Sequence, residues 1–241
     1  MDLPYISATE AIDKFKNKSL SPVELIKAII KRAEEINPKI NAHNFTFYEE
    51  AIEKAVIAEK KYFSNSEILP LEGIPVAIKD EEDIKGQPNT NGSLVLKNHV
   101  ASKTMVDVER IIESGAVIHC RTTTPEFSLT SFTHSKIWGV TKNPWGLYYS
   151  PGGSSGGSGA SLAAGCSTLA TGSDIGGSIR IPASACGLVG FKPPHGRNPQ
   201  EAPFNHDQYC VVGPMARTVN DCALMQNVMS GPHPKDITSL K

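Results

Sequence analysis

Residues 172–180 have the composition of a site for acyl-transfer chemistry. Four consecutive residues here can present unobstructed backbone N–H groups: Ile175, Gly176, Gly177 and Ser178. Donors of this kind can form an oxyanion hole, which stabilises the alkoxide that develops when a hydroxyl attacks a carbonyl. Ser178 can place its Oγ beside those donors. Asp174 and Arg180 flank the run with opposite charges, and we expect them to pin the loop.

A second segment, residues 151–160, is rich in glycine and serine and has several interpretations. A flexible linker is disfavoured because small and apolar residues follow directly. The phosphate-binding patterns G-x-x-x-x-G-K-[ST] and G-x-G-x-x-G do not match. The serine-elbow pattern G-x-S-x-G matches twice, at Ser154 and Ser155, and a hydrolase of that kind could use Asp207 and His233. A serine elbow requires a strand that ends at the serine, and Pro151 makes such a strand end unfavourable.

A candidate base, Lys79, follows the short apolar run of residues 73–78. A lysine with an ordinary pKa of about 10.4 is a cation at neutral pH and cannot accept a proton. Burial can lower a lysine pKa by about 3 units, which is the change a general base needs. We therefore expect Lys79 to be buried and neutral. The neighbouring Asp80 would oppose this, and we expect its side chain to point away.

Together, these motifs resemble the amidase signature family. The resemblance rests on Lys79 after a strand, on the Gly-Gly-Ser-Ser-Gly-Gly run around Ser154, and on residues 172–180, with 24 residues from Ser154 to Ser178. Residues 73–80, 141–145, 186–193 and 213–218 extend it over essentially the whole chain.

The resemblance implies a role for each site residue and no metal or cofactor. Ser178 would be the acyl-accepting nucleophile, Ser154 the bridging serine next to a cis peptide, and Lys79 the general base. Ser155 and Asp174 would support this network by hydrogen bonding. The implied function is hydrolysis of a carboxylic amide to an acid plus ammonia or an amine.

The elements that must position these residues alternate between helices and short strands. Residues 1–65 are predicted to be helical, with capping boxes at Ser7 and Ser21 and a third helix over 48–62. The catalytic core, about residues 66–241, contains predicted strands at 73–79, 116–120, 168–172 and 187–191. Helices are predicted over 105–115, from 124–127 onward, and after Thr218. The alternation is typical of an α/β fold with helices on both faces of the sheet. The resemblance implies a mixed sheet in one domain, 1–241.

Composition excludes several other classes of protein. The net charge of −1 on 241 residues gives no reason to expect direct nucleic-acid binding or an anionic-membrane partner. The five cysteines have no metal-like or disulfide-like spacing, and the seven histidines are scattered. We expect no metal, no disulfide and no membrane span, which predicts a cytoplasmic protein.

The chain is about half the usual length of the family it resembles. We therefore expect a fold that is incomplete at its C-terminus, an exposed apolar face, and either a homodimer or a partner that supplies the absent half. A small-molecule amide is the expected substrate. The alternatives are the glutamine-hydrolysing subunit of a tRNA-dependent amidotransferase, or a non-catalytic fragment or binding protein of the same fold. Residues 85–93 and 205–210 favour a stand-alone amidase.

Overall fold

The helices begin at capping residues that the sequence makes recognisable. In the computed structural model, which describes residues 2–64, 66–202 and 204–239, Ser21 and Glu24 form a complete capping box and Ser7 accepts a hydrogen bond from the Glu10 N–H. Thr218 caps the last helix in the same way, through the N–H of Asp221. From α1 to α7, the described helices are Ala8–Lys16, Pro22–Ile40, Tyr48–Phe63, Val106–Glu113, Gly156–Ala163, Arg180–Cys186 and Val219–Met229.

The described strands form a mixed six-stranded sheet and a small two-stranded one. From β1 to β8, they are His43–Thr46, Pro75–Lys79, Val117–Thr122, His134–Ser135, Gly139–Val140, Leu169–Asp174, Val189–Gly190 and Val211–Ala216. The order in the main sheet is β1-β3-β2-β6-β8-β7, with β2 parallel to both β3 and β6. The outer pairings, β1 with β3, β6 with β8 and β8 with β7, are antiparallel. Strand β2 therefore lies inside the sheet, and its end is enclosed by β3 and β6.

Helices cover both faces of this sheet, as expected. Side chains alternate along β2, so Val76 and Ile78 join the larger apolar core with α1, α4 and α7. Ala77 faces the opposite way and packs in a second core with Leu162 of α5 and Ala183 of α6. The α5 face carries the glycine- and serine-rich segment, so the fold brings that segment against the end of β2.

Three local predictions differ from the structure. Residues 124–127 do not open an α-helix, because Phe127 and Ser128 have positive φ and the Phe127 N–H donates to the Asn91 carbonyl; only the 3-10 turn Glu126–Ser128 forms. Strand β8 was not predicted, since Gly213 and Pro214 are unfavourable in strands, yet it pairs with β6 over six residues. Strand β1 interrupts the predicted helical segment.

The predicted ranges also include five residues that lie outside the described parts: Met1, Asn65, Pro203, Leu240 and Lys241. None of the described helices combines the length and the apolar character needed to cross a bilayer.

Candidate active site

Lys79, the last residue of β2, is fully buried and its amino group has three polar neighbours. Lys79 Nζ lies 2.8 Å from Ser154 Oγ and 2.7 Å from Ser173 Oγ. The third neighbour is the Glu81 carboxylate, with Oε2 at 2.6 Å. The expected burial of Lys79 and its contact with Ser154 are both present in this arrangement.

The carboxylate beside Lys79 belongs to Glu81 and not to Asp80. Asp80 points away, as predicted, and accepts hydrogen bonds from the Thr90 backbone and hydroxyl and from Asn44 Nδ2. Burial acts to raise the pKa of Glu81, but the Lys79 charge and hydrogen bonds with Lys79, Ser173 and Ser128 together lower it below its ordinary value. An anion that sequence patterns did not indicate therefore lies beside Lys79.

Ser154 lies in a tightly packed turn ahead of α5. The Gly153–Ser154 peptide is cis, as the family resemblance implied, and Ser154 is fully buried. Its carbonyl accepts hydrogen bonds from the hydroxyls of Thr124 at 3.2 Å and Thr133 at 3.4 Å. These contacts hold the backbone so that Ser154 Oγ faces Lys79.

This geometry removes two alternative interpretations of the segment. Helix α5 is buried along nearly its whole length, so the segment is not a linker. No described strand leads into Ser154, and its hydroxyl contacts a lysine, so the serine-elbow interpretation is wrong. His233 instead lies in a C-terminal turn, where its Nδ1 accepts a hydrogen bond from the Lys235 N–H.

Ser178 lies on the half-buried loop that connects β6 to α6. The loop is tied to the first serine segment by the Ser155 N–H, which donates to the Ser178 carbonyl at 3.2 Å. Ser155 also connects to β6, because its Oγ accepts from the Ser173 N–H at 3.3 Å. Ser155 thus joins the backbone of the Ser178 loop to the strand that carries Ser173.

Asp174 holds the Ser178 loop from the end of β6. Its buried carboxylate accepts two hydrogen bonds from the Arg180 guanidinium, each 2.9 Å long, and one from the Gly177 N–H at 2.7 Å. Lys192 Nζ adds a contact at 3.3 Å. Burial acts to raise the pKa of Asp174, but the Arg180 side chain, the N–H groups of Ile179 and Arg180, and the Lys192 charge together lower it to about 2. The carboxylate therefore stays ionised and keeps the loop in place.

The four predicted oxyanion donors are not equivalent. The Gly177 N–H is occupied by Asp174. In the described part of the chain, the N–H groups of Ile175, Gly176 and Ser178 have no hydrogen-bond acceptor. A methyl group built on Gly176 would meet no atom within 4 Å, so this side of the loop is open. The loop can thus offer three free donors to an incoming oxygen.

Sequence patterns pointed to neither Ser173 nor Glu81 as site residues. A weak signal existed for each: Ser173 lies inside the 172–180 motif, and Glu81 is a charged residue only two positions after Lys79. The contact between Lys79 and Ser173 spans 94 residues of sequence. Only the pairing of β2 with β6 brings those two side chains together.

One group of described residues has the composition of a metal site, although the histidines had been taken as scattered. A ligand atom from each of His43, His119 and Cys120 lies within 4.8 Å of the other two. These side chains already take part in hydrogen bonds, with His43 Nε2 2.7 Å from Ser161 Oγ and His119 Nε2 3.0 Å from the Cys166 carbonyl. Burial lowers the pKa of His43 to about 3 and that of His119 to about 4, which keeps both rings neutral.

Comparison with known proteins agrees with this geometry. The Amidase family model matches residues 24–241. A subunit of the glutamyl-tRNA(Gln) amidotransferase of Carboxydothermus hydrogenoformans is 42% identical over 243 residues, and the corresponding protein of Brachyspira hyodysenteriae is 42% identical over 247. These matches cover 99% and 100% of this chain and 50% of each relative.

Solved structures give the same result. A bacterial aryl acylamidase of the amidase signature family superposes with a TM-score of 0.93 at 34% identity, covering 98% of this chain and 50% of that one. A fatty acid amide hydrolase superposes with a TM-score of 0.91 at 31% identity, covering 99% of this chain and 43% of that one. The chain thus spans about half the length of the relatives it matches. Its sequence and its fold place the chain in the amidase signature family.

Proposed function

We propose that this chain carries the catalytic centre of an amide hydrolase. The observation that supports this most directly is the 2.8 Å contact between Lys79 Nζ and Ser154 Oγ, two side chains that are fully buried. A lysine paired with a serine is a known arrangement for activating a hydroxyl nucleophile. The proposed catalytic residues are Lys79, Ser154 and Ser178.

In the proposed reaction, the Ser178 hydroxyl attacks the amide carbonyl carbon. Its proton passes to Ser154 Oγ, while the proton of Ser154 passes to the neutral amine of Lys79. The protonated Lys79 then returns a proton through Ser154 to the leaving nitrogen, which departs as ammonia or an amine. Water then attacks the carbonyl carbon of the Ser178 ester and gives up a proton through Ser154 to Lys79. The departing Ser178 Oγ recovers a proton from Lys79 through Ser154, and the acid is released.

The proposed oxyanion hole consists of the free N–H groups of Ile175, Gly176 and Ser178. Gly177, which the motif also predicted as a donor, instead contributes its N–H to Asp174 and helps to hold the loop. Ser155, Asp174 and Arg180 act as supporting residues, since each bonds to the loop or to another group that holds it. Removal of one oxyanion donor costs about 100- to 1000-fold in rate in comparable hydrolases.

The acyl pocket is proposed to be completed by a part of the protein beyond this chain. Three exposed apolar side chains lie around the two serine segments: Phe132, Ile175 and Ile181. In an enzyme of twice this length, such residues would be covered by the second half. A separate chain or a second copy in a homodimer could serve the same purpose. We propose that residues 1–241 fold as one domain.

A second candidate is glutamine hydrolysis within an amidotransferase. The support comes from the two relatives named above, both of which belong to glutamyl-tRNA(Gln) amidotransferases. The solved neighbours favour a stand-alone amidase, since they include an aryl acylamidase and a fatty acid amide hydrolase. Ammonia release from glutamine, compared with hydrolysis of an acyl anilide, separates the two.

We also propose a cytoplasmic location, because all five cysteines are buried free thiols.

The test is hydrolysis of an acyl anilide by this chain together with the part proposed to complete its pocket, and by the Ser178→Ala and Lys79→Ala variants of the same protein. We expect each variant to lose at least about a thousandfold in kcat/KM. Ser64→Ala and Lys60→Ala change exposed residues of the same types and should retain full activity. A fluorophosphonate should label Ser178. An inactive parent that also fails to react with the fluorophosphonate would favour a non-catalytic binding protein instead.

A further inference from the structure

Three oxygens lie around the amino group of Lys79: Ser154 Oγ at 2.8 Å, Ser173 Oγ at 2.7 Å and Glu81 Oε2 at 2.6 Å. The Ser173 and Glu81 oxygens also contact each other, so both lie on the same side of the nitrogen. The Ser173 hydroxyl donates its own proton to Glu81 Oε2 at 2.6 Å. Neither Ser173 nor the Glu81 carboxylate therefore has a proton to offer to the nitrogen, and both can only accept from it.

This restriction determines which neighbour can exchange a proton with Lys79. Glu81 and Ser173 can only accept an N–H from the nitrogen, whereas the Ser154 hydroxyl, 2.8 Å away, can also donate. Among these three neighbours, Ser154 is therefore the one that can exchange a proton with the nitrogen.

We infer that Glu81 is a positioning residue for Lys79. Together with Ser173, the Glu81 carboxylate holds the amino group beside Ser154 and stabilises its ammonium form. This inference rests on the proposed amide hydrolysis for its catalytic consequence, but not for the ion pair itself. The Glu81 carboxylate lies 2.6 Å from Nζ, and an opposite charge at this distance favours the ammonium over the free amine.

The other ionisable groups around Glu81 do not replace this anion. Glu82 and Cys210 line the same small cavity, and Asp107 of α4 lies near. Burial raises the pKa of Glu82 well above its ordinary value, and burial raises the pKa of Asp107 to about 7 and that of Cys210 to about 12. Arg121 donates to the carbonyls of Lys79 and Glu82 and not to the Glu81 carboxylate. Glu81 is the anion in contact with Lys79.

The experiment is a pH titration of Lys79 by NMR, using lysine labelled with 13C at Cε, alongside the pH profile of kcat/KM. In Glu81→Gln, we expect the midpoint of the Lys79 titration to move to lower pH by about one pH unit or more, since a charge at this distance is removed. The acidic limb of kcat/KM should move in the same direction. The plateau should fall about tenfold, because the amide no longer orients the amine as the carboxylate does.

Two variants separate charge from orientation. Ser173→Ala removes an acceptor but no charge, so its plateau should fall while its titration midpoint stays within about 0.3 pH units of wild type. Glu81→Asp keeps the charge but shortens the side chain, and it should retain most of the wild-type midpoint while losing rate. Glu72→Gln is the matched control, because Glu72 is also a buried partner of a lysine, Lys61, at 2.9 Å. Glu72→Gln should change neither the midpoint of the Lys79 titration nor the plateau of kcat/KM.

The outcomes distinguish this inference from the proposed function. If the Lys79 midpoint is the same in Glu81→Gln and wild type, the inference is overturned even when hydrolysis is normal. If the midpoint moves in a chain that hydrolyses no amide, the pairing of Glu81 with Lys79 stands and the proposed function fails.

Discussion

The two serine segments are joined by the backbone hydrogen bond from Ser155 to Ser178, yet they are held in different ways. The Ser154 segment is fully buried and is fixed by backbone packing against threonines of the neighbouring segments. The Ser178 loop is half-exposed and is fixed by one carboxylate, Asp174, that collects charged and backbone donors. A relay serine must exchange protons away from water, whereas a nucleophile must meet its substrate. The difference in burial fits the roles proposed for Ser154 and Ser178.

The largest effect on stability should come from adding a methyl group inside the buried Ser154 segment. A methyl group on Gly157 would overlap the backbone N and O of Thr123, neither of which can move without shifting the chain. Gly157→Ala should therefore lower the free energy of unfolding by about 3 kcal/mol, measured by urea denaturation. Gly176→Ala is the matched change in the open loop, where the methyl meets nothing within 4 Å. If both variants had the same stability, the contrast between the segments would be wrong.

As the pH falls, the buried Ser154 segment should lose stabilising free energy at a higher pH than the Ser178 loop does. His43 contacts Ser161 of α5, and its folded pKa of about 3 lies below the ordinary 6.5. Its stabilising contribution is therefore complete above pH 6.5 and is lost as the pH falls toward 3. At pH 5, this loss amounts to ~2 kcal/mol. Asp174, with a folded pKa of about 2 against an ordinary 3.8, keeps its contribution until the pH falls below that ordinary value.

The measurement compares the free energy of unfolding at pH 7.5 and pH 5 in wild type and in His43→Gln. The comparison must be with wild type because Asp107, whose pKa burial raises to about 7, changes stability in the opposite sense over this range. We expect the change with pH in His43→Gln to differ from that of wild type by ~2 kcal/mol. His134→Gln alters an exposed histidine and should follow wild type. Identical pH dependence in all three proteins would refute the assignment to His43.

The smallest expected effect concerns the loop alone. Asp174→Asn weakens the bonds to Arg180 and Gly177, so the loop should lose its fixed position and kcat/KM should fall about tenfold. Arg180→Gln should cost less than about threefold, because the arginine side chain is half-exposed and the other donors to Asp174 remain. Asp13→Asn, on the exposed face of α1, is the control. Equal losses in Asp174→Asn and Arg180→Gln would mean that Arg180 alone holds the loop.

Local patterns were sufficient for the elements with strong signals. The capping box at Ser21, the apolar stripe of α2 and the proline at the start of β2 were all predictable, because each depends on neighbours within a few residues. Strand β8 was not predicted because the pairing that stabilises it is with a distant segment. Its Gly-Pro pair is unfavourable locally, and its six pairings with β6 outweigh that preference only once the sheet has formed.

Sequence alone determined the family and the chemical types at the site: a lysine that ends a buried strand and two serines in glycine-rich segments where backbone can approach closely. Tertiary structure decided which groups those residues meet. The order of the sheet places β6 beside β2 and so brings Ser173 to Lys79, while the turn after β2 directs Asp80 toward Thr90 and Glu81 toward the amine. Such partners are separated by up to 94 residues, and only the packed sheet determines their distances.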